Sequence, residues 1–268
     1  MNKVKSILAV LVVISMIIPV MAFSVNSQKG QTISEQNKIG GVEVAPGVFY
    51  LGQAMDKGQV VEGYAFVHYA KDSNEIKKSK PVWDDTVDIY KFMFGGIKWE
   101  STMQYEVNPS SSGLDSAQVQ TTLKSSLETW DSETSFELFD DELGITNEGF
   151  FSGVEDGERI NRVTWGKLPW VNAIAVNYFW FYTATKEMIE SDVVFSTDYT
   201  WSLDNECSGD KMDLQSIATH EFGHNGLNDL YMPPSVKLTM HGISYGYCEI
   251  HKRDLGTGDV SGIKALYG

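Results

Sequence analysis

Basic residues are scarce in this 268-residue chain: 21 Lys and Arg stand against 36 Asp and Glu, a formal charge of −15. Nucleic acids and anionic lipid surfaces demand a basic face, so this balance argues against both as partners. Cysteine is nearly missing, with only Cys207 and Cys248 present and neither in a C-x-x-C pair, which argues against thiolate metal ligation. In an exported chain such an even pair favours a disulfide, and closing a loop of this size stabilises by about 3–4 kcal/mol. Long apolar runs are missing after residue 20, so nothing later approaches the ~20 residues of a membrane-spanning helix. No repeat of solenoid period is present either.

What is present begins with an export signal. Lys3 and Lys5 precede a 14-residue apolar run over 7–20, and Val20-Met21-Ala22 closes it. That pattern predicts a signal peptide over 1–22 and a secreted protein, extracellular or on the cell surface. A polar stretch over 24–38 has little to bury and reads as a spacer. Residues 60–67 form an apolar, partly alternating run that suits a strand, and 71–85 is charged, carries Pro81 and reads as a linker. Residues 23–96 are therefore taken as an N-terminal pro- or accessory segment with its linker, and 97–268 as the main domain.

The main domain predicts an α+β fold. Residues 103–107 alternate and stop at Asn108-Pro109, a strand and its turn. Val119, Leu123, Leu127 and Trp130 fall at helical spacing over 115–130. Further strands are expected at 136–139, 162–165, 174–181 and 193–195. A motif helix capped by Asp210 or Asp213 runs to His224, and a last helix opens at Thr257. Five strands in a twisted mixed sheet with about three helices, plus a small N-terminal segment, account for the length.

The chemistry concentrates in Thr219-His220-Glu221-Phe222-Gly223-His224. Positions i and i+4 share a helix face, so His220 and His224 present ring nitrogens to one ion, and Glu221 leans toward the same space. Beyond them, Gly226 suits a left-handed turn that ends the helix and lets the chain double back. Further on come Leu238-Thr239-Met240-His241-Gly242 and a closing Gly262-Ile263-Lys264-Ala265-Leu266-Tyr267-Gly268.

With these motifs in that order the sequence resembles the matrixin-like metallopeptidases of the metzincin clan, particularly exported prokaryotic members with Asp as third ligand. The resemblance runs from Trp99 to the end. Tyr105-Glu106-Val107-Asn108-Pro109 resembles the family's first strand, Thr129-Trp130-Asp131 the end of its first helix, and Asp156-Gly157 with Asn161-Arg162-Val163-Thr164-Trp165-Gly166 loosely its Asp-Gly-x-Asn-x-Val-x-Trp-Gly region. It implies a zincin-like catalytic domain binding Zn²⁺ through His220, His224 and Asp229, with Met240 as a supporting residue below the site. The family's third ligand lies ten residues after the first histidine, whereas Asp229 lies nine after His220. A one-residue slip on a helix rotates a position by about 100° and removes ~1.5 Å of rise, so the helix must end early for Asp229 to reach. His241 and His251 are the substitutes if it does not.

The implied activity is zinc-dependent endopeptidase chemistry through a Glu-activated zinc-bound water, with Glu221 as general base and then general acid. A protein or peptide substrate is expected to add as a strand, by the resemblance, to the strand containing 192–195, with 242–245 walling the pocket past the cut. Structural calcium is considered at Asp140-Asp141-Glu142 and at 155–158, but no Asp-x-Asp-x-Asp-Gly loop is present and solvated loop charge is the preferred reading. Because no cysteine precedes Cys207, the N-terminal segment cannot inhibit through a thiol; His68 is the only histidine upstream of the motif. The competing readings are a catalytically impaired zincin-fold surface binding module, and a hydrolase acting on a non-peptide bond.

Overall fold

The computed structural model describes residues 41–70, 84–150, 153, 160–231, 237–244 and 246–268. The expected signal peptide, the 24–38 spacer, nearly all of the 71–85 linker and the acidic run at 155–158 lie outside the described residues.

Nine apolar or aromatic residues and Asn177 form β7 (Ala173–Tyr182), and every one is buried. A strand of that kind belongs in a sheet covered on both faces. Its neighbour β8 (Met188–Ser196) is equally buried. Beyond β8 come β6 (Asn161–Gly166), β4 (Tyr105–Val107) and β5 (Gly144–Ile145), all paired in parallel. Only β7 runs against them, antiparallel to β8. These five strands make the expected mixed sheet, although 136–139 contributes a single bridge, Met103 to Phe139, and β5 takes the fifth place.

The sheet does not stop there. β3 (Gln59–Ala70) pairs antiparallel with β7 from Val61↔Tyr182 to Tyr69↔Ala173. β2 (Val48–Asp56) and β1 (Val42–Ala45) continue outward, and β11 (Ile243–Ser244) pairs in parallel with the end of β3. The result is one nine-stranded sheet in which the N-terminal segment covers the edge that the five strands leave bare. Two short strands, β9 (Trp201–Ser202) and β10 (Met212–Asp213), pair in parallel apart from it and lead into the motif helix. This arrangement corrects the expected docking strand: 192–195 lies inside β8, hydrogen-bonded on both sides, and has no free edge. The bare edge of the five strands is β7, which β3 covers.

Among the described residues three α-helices complete the fold. Asp115 caps α1 (Ser116–Asp131) by accepting from Gln118 N, and Val119, Leu123, Leu127 and Trp130 form its buried stripe. Trp130 Nε1 donates to Thr219 O at 2.7 Å, locking α1 onto α2 (Leu214–Gly223). Asp213, one of the two expected caps, accepts from Ser216 N at 2.8 Å. Gly223 is required where the helices meet, since a Cβ there would lie 2.6 Å from the Trp130 ring and 2.2 Å from Met240 Sδ. α3 (Thr257–Tyr267) ends the chain as expected. The Cys207–Cys248 disulfide is formed. Among the described residues no helix is long and apolar enough to cross a membrane.

Candidate metal centre

α2 lies under β7, and Asn177 of that strand donates to the Glu221 carbonyl at 3.3 Å. The helix stops at Gly223, with His224 as its C-cap. That early end answers the one-residue shortfall, because the following chain is free to turn. Asn225 fixes the turn: its side chain accepts from Trp99 Nε1 at 2.9 Å and donates to Tyr105 Oη and Phe222 O, while its carbonyl accepts from Tyr267 Oη at 2.6 Å. Gly226 serves differently from the expectation. It has no left-handed φ; what it supplies is room, since a Cβ would sit 2.6 Å from Leu266 Cδ1.

The turn brings Asp229 to the histidines. Its Oδ1 lies 3.3 Å from His220 Nε2 and 3.7 Å from His224 Nε2. Ligands about 2.0–2.1 Å from a tetrahedral ion stand about 3.3–3.4 Å apart, so the spacing suits one zinc. His220 Nε2, Asp229 Oδ1 and both Glu221 oxygens are buried with no hydrogen bond to satisfy them. Of these, His220 Nε2 and Asp229 Oδ1 converge with His224, and orphaned buried acceptors meeting in this way are the feature a cation would explain. The donor set fits zinc.

The other ring nitrogens are engaged. His220 Nδ1 donates to Thr239 O at 2.7 Å and His224 Nδ1 to Leu227 O at 3.0 Å. Both bonds select the tautomer whose Nε2 lone pair faces the centre. Burial, then Lys252, lowers the His220 pKa to about 4, which keeps its ring neutral and able to ligate. Burial alone would raise the Asp229 carboxyl, but His224 and His220 beside it bring it down to about 2. Burial and Asp229 push Glu221 well above the usual carboxylate range.

Several supports were not singled out from the sequence. Asp259, at the third position of α3, accepts from Thr239 N and Met240 N and so holds the turn whose carbonyl anchors His220. Tyr231 Oη donates to Asp229 Oδ2 at 3.2 Å. An acidic residue opening the last helix was the available clue to Asp259. Met240 is buried below the centre against Gly223. His241 is buried outside both donor clusters among the described residues, and His251 faces Glu249 at 3.3 Å; neither joins the triad. Asp140, Asp141 and Glu142 form no donor cluster among the described residues, and nothing supports calcium.

A second cluster overlaps the first. His68 of β3 packs tilted against His220 with ring centroids 4.0 Å apart, and its Nδ1 lies 3.4 Å from Glu221 Oε1. Phe66, two residues earlier on the same face, packs on His224 at 4.5 Å. The upstream strand thus lies across the centre, and His220 and Glu221 are 0% exposed. On one side a cavity of about 540 Å³ reaches Asp229 between Tyr64, Phe66, Phe92, Phe94 and Tyr231.

The matrixin family model matches residues 172–268. This part of the chain is matrixin-like. The match takes in β7, β8, α2, the Met240 turn and α3, 97 of the 268 residues. It supports a metallopeptidase with zinc dependence in general. The likenesses at 105–109, 129–131 and 161–166 fall outside the matched span. No curated protein matches the chain.

Proposed function

We propose that this protein is a secreted zinc endopeptidase of the exported prokaryotic type, with Asp229 as third ligand, held closed in the intact chain by its own N-terminal strand. The observation that carries the reading is the convergence of His220, His224 and Asp229 donor atoms, with His220 Nε2 and Asp229 Oδ1 buried and orphaned and Glu221 next in the chain. His220, His224 and Asp229 would hold the ion. Zinc bound there would supply a Lewis acid that acidifies water and polarises a peptide carbonyl.

The chain's own groups account for the remaining steps. Glu221, one residue from His220 and buried beside it, accepts the proton of the attacking water and returns it to the leaving amine. The β7 edge supplies backbone hydrogen bonds to an extended peptide, as it now does to β3. Thr239 and Leu227 keep the two imidazoles in register through their carbonyls. Residues 41–70 act as a propeptide whose strand must leave before a substrate enters.

Zinc-loaded residues 23–268 and their Glu221→Gln variant should bind the ion equally, while only the former releases fragments from an unfolded protein once the strand is displaced. Loss of zinc in the variant would make Glu221 a ligand instead and end the proposed mechanism.

A further inference from the structure

Lys252 is fully buried, and no step above uses it. It lies in the 3-10 turn His251–Arg253, which is anchored on both sides. Cys248 is bonded to Cys207, and the Arg253 guanidinium grips Asp213 and donates to the carbonyls of Asp204 and Asn205. From this fixed turn the Lys252 ammonium donates to the His241 carbonyl and stands 3.5 Å from His68 Nε2. The first contact belongs to the catalytic half of the chain. The second belongs to β3 and goes when β3 goes.

β3 marks the path of a peptide through the groove. It is extended, antiparallel to β7 and parallel to β11, and a peptide that adds to the same edge in the same direction takes its place. Side chains alternate between faces, so the residue opposite Ala175 projects where His68 does now. There it meets Lys252 at its tip and Glu221 at its flank. The His68 ring suits both: its Nε2 lone pair faces the ammonium, and Nδ1–H faces the carboxylate 3.4 Å away. An aliphatic side chain would leave a buried ammonium without that acceptor, a loss that sites built around polar groups discriminate strongly against.

We propose that Lys252 is a specificity-determining residue, flooring the subsite that His68 fills and selecting a substrate side chain that ends in a hydrogen-bond acceptor over an aliphatic one. The proposal deepens the peptidase reading and rests on it.

The intact chain tests it without catalysis. In the metal-free protein, hydrogen exchange of the β3 amides reports how tightly the residue at position 68 is held. His68→Gln should leave exchange within about threefold of the parent, and His68→Leu should speed it about tenfold. In a Lys252→Met background the order should reverse. Leu tolerated as well as His beside Lys252 overturns the proposal, as does an unchanged ranking in the Lys252→Met background; if Lys252→Met fails to fold, the Gln-against-Leu ranking beside Lys252 decides alone. Fragments released from an unfolded protein by the zinc-loaded chain carrying Gly63→Val should show acceptor-tipped residues next to the cut. Fragments with aliphatic residues there instead would also overturn it. No fragments at all would strike the peptidase reading, while the exchange ranking would still decide the subsite.

Discussion

Two triads share His220. In one, His220, His224 and Asp229 come from a single stretch of ten residues, and their supports are Leu227 within it and Tyr231, Thr239 and Asp259 in the next thirty. In the other, His220 and Glu221 meet His68, which arrives on a strand more than 150 residues upstream. The first is built by local chain geometry and holds whatever the N-terminal segment does. The second exists only while β3 lies on β7. A centre and its cover can therefore be separated by substitution, and each prediction below pulls them apart.

The largest effects fall on the first triad. His220→Ala should remove both zinc and hydrolysis, read by metal stoichiometry and fragment release. Glu221→Gln should lower hydrolysis by about a thousandfold or more with zinc content unchanged, because it removes the proton acceptor and no ligand. Equal zinc loss in both variants would merge the two roles.

Next comes the cover. Gly63 faces Trp180 across β3 and β7, and a Cβ there would lie 2.6 Å from the indole. Gly63→Val should push β3 off the edge without touching the centre, and speed zinc removal by a chelator about tenfold. An unchanged rate would mean that the strand does not govern access.

Supports of the first triad rank third. Asp259→Ala releases two amides of the turn that holds His220 and should weaken zinc about 10–100-fold. Tyr231→Phe removes one hydrogen bond from Asp229 and should cost about tenfold at most. A larger loss from Tyr231→Phe would reverse the order and place the weaker support at the turn. Competition titration with a zinc chelator reads both.

The smallest effect contrasts the centre with a buried acid remote from it. Burial raises Asp192 from 3.8 to about 7, against the hydrogen bond it shares with the buried Glu190 and the amide of Arg162, which donates to it. Between those values the folded chain holds a proton that the unfolded chain has lost, so stability falls as pH rises through the window. Asp192→Asn has no such proton and should gain on the parent by about 2–3 kcal/mol between pH 5 and pH 8. Parallel urea-unfolding curves for the two proteins at both pH values would contradict this.

The sequence made the motif helix, α1, α3 and the central strands legible because each depends on local periodicity and a cap: Asp115 and the Val119–Trp130 stripe are readable without any partner. It also brought forward His220, Glu221, His224 and Asp229, since ligand chemistry and spacing travel together. What it hid was pairing at a distance. A strand at 60–67 was expected, but nothing in its residues says that it lies on β7. The docking strand was misplaced for the same reason, because edge status is a property of the whole sheet. Lys252 was unreadable in the same way: a lysine in a polar run looks solvated until the fold buries it. Gly226 shows the converse, a residue noticed for its backbone freedom whose use is the space beside Leu266.

The most direct measurement compares fragment release from an unfolded protein by three zinc-loaded proteins: the parent, Gly63→Val, and Gly63→Val with Glu221→Ala. The account predicts little from the parent, abundant fragments from the single variant and none from the double. Equal cleavage by parent and single variant would contradict closure by β3, and fragments from the double variant would contradict Glu221 as the base.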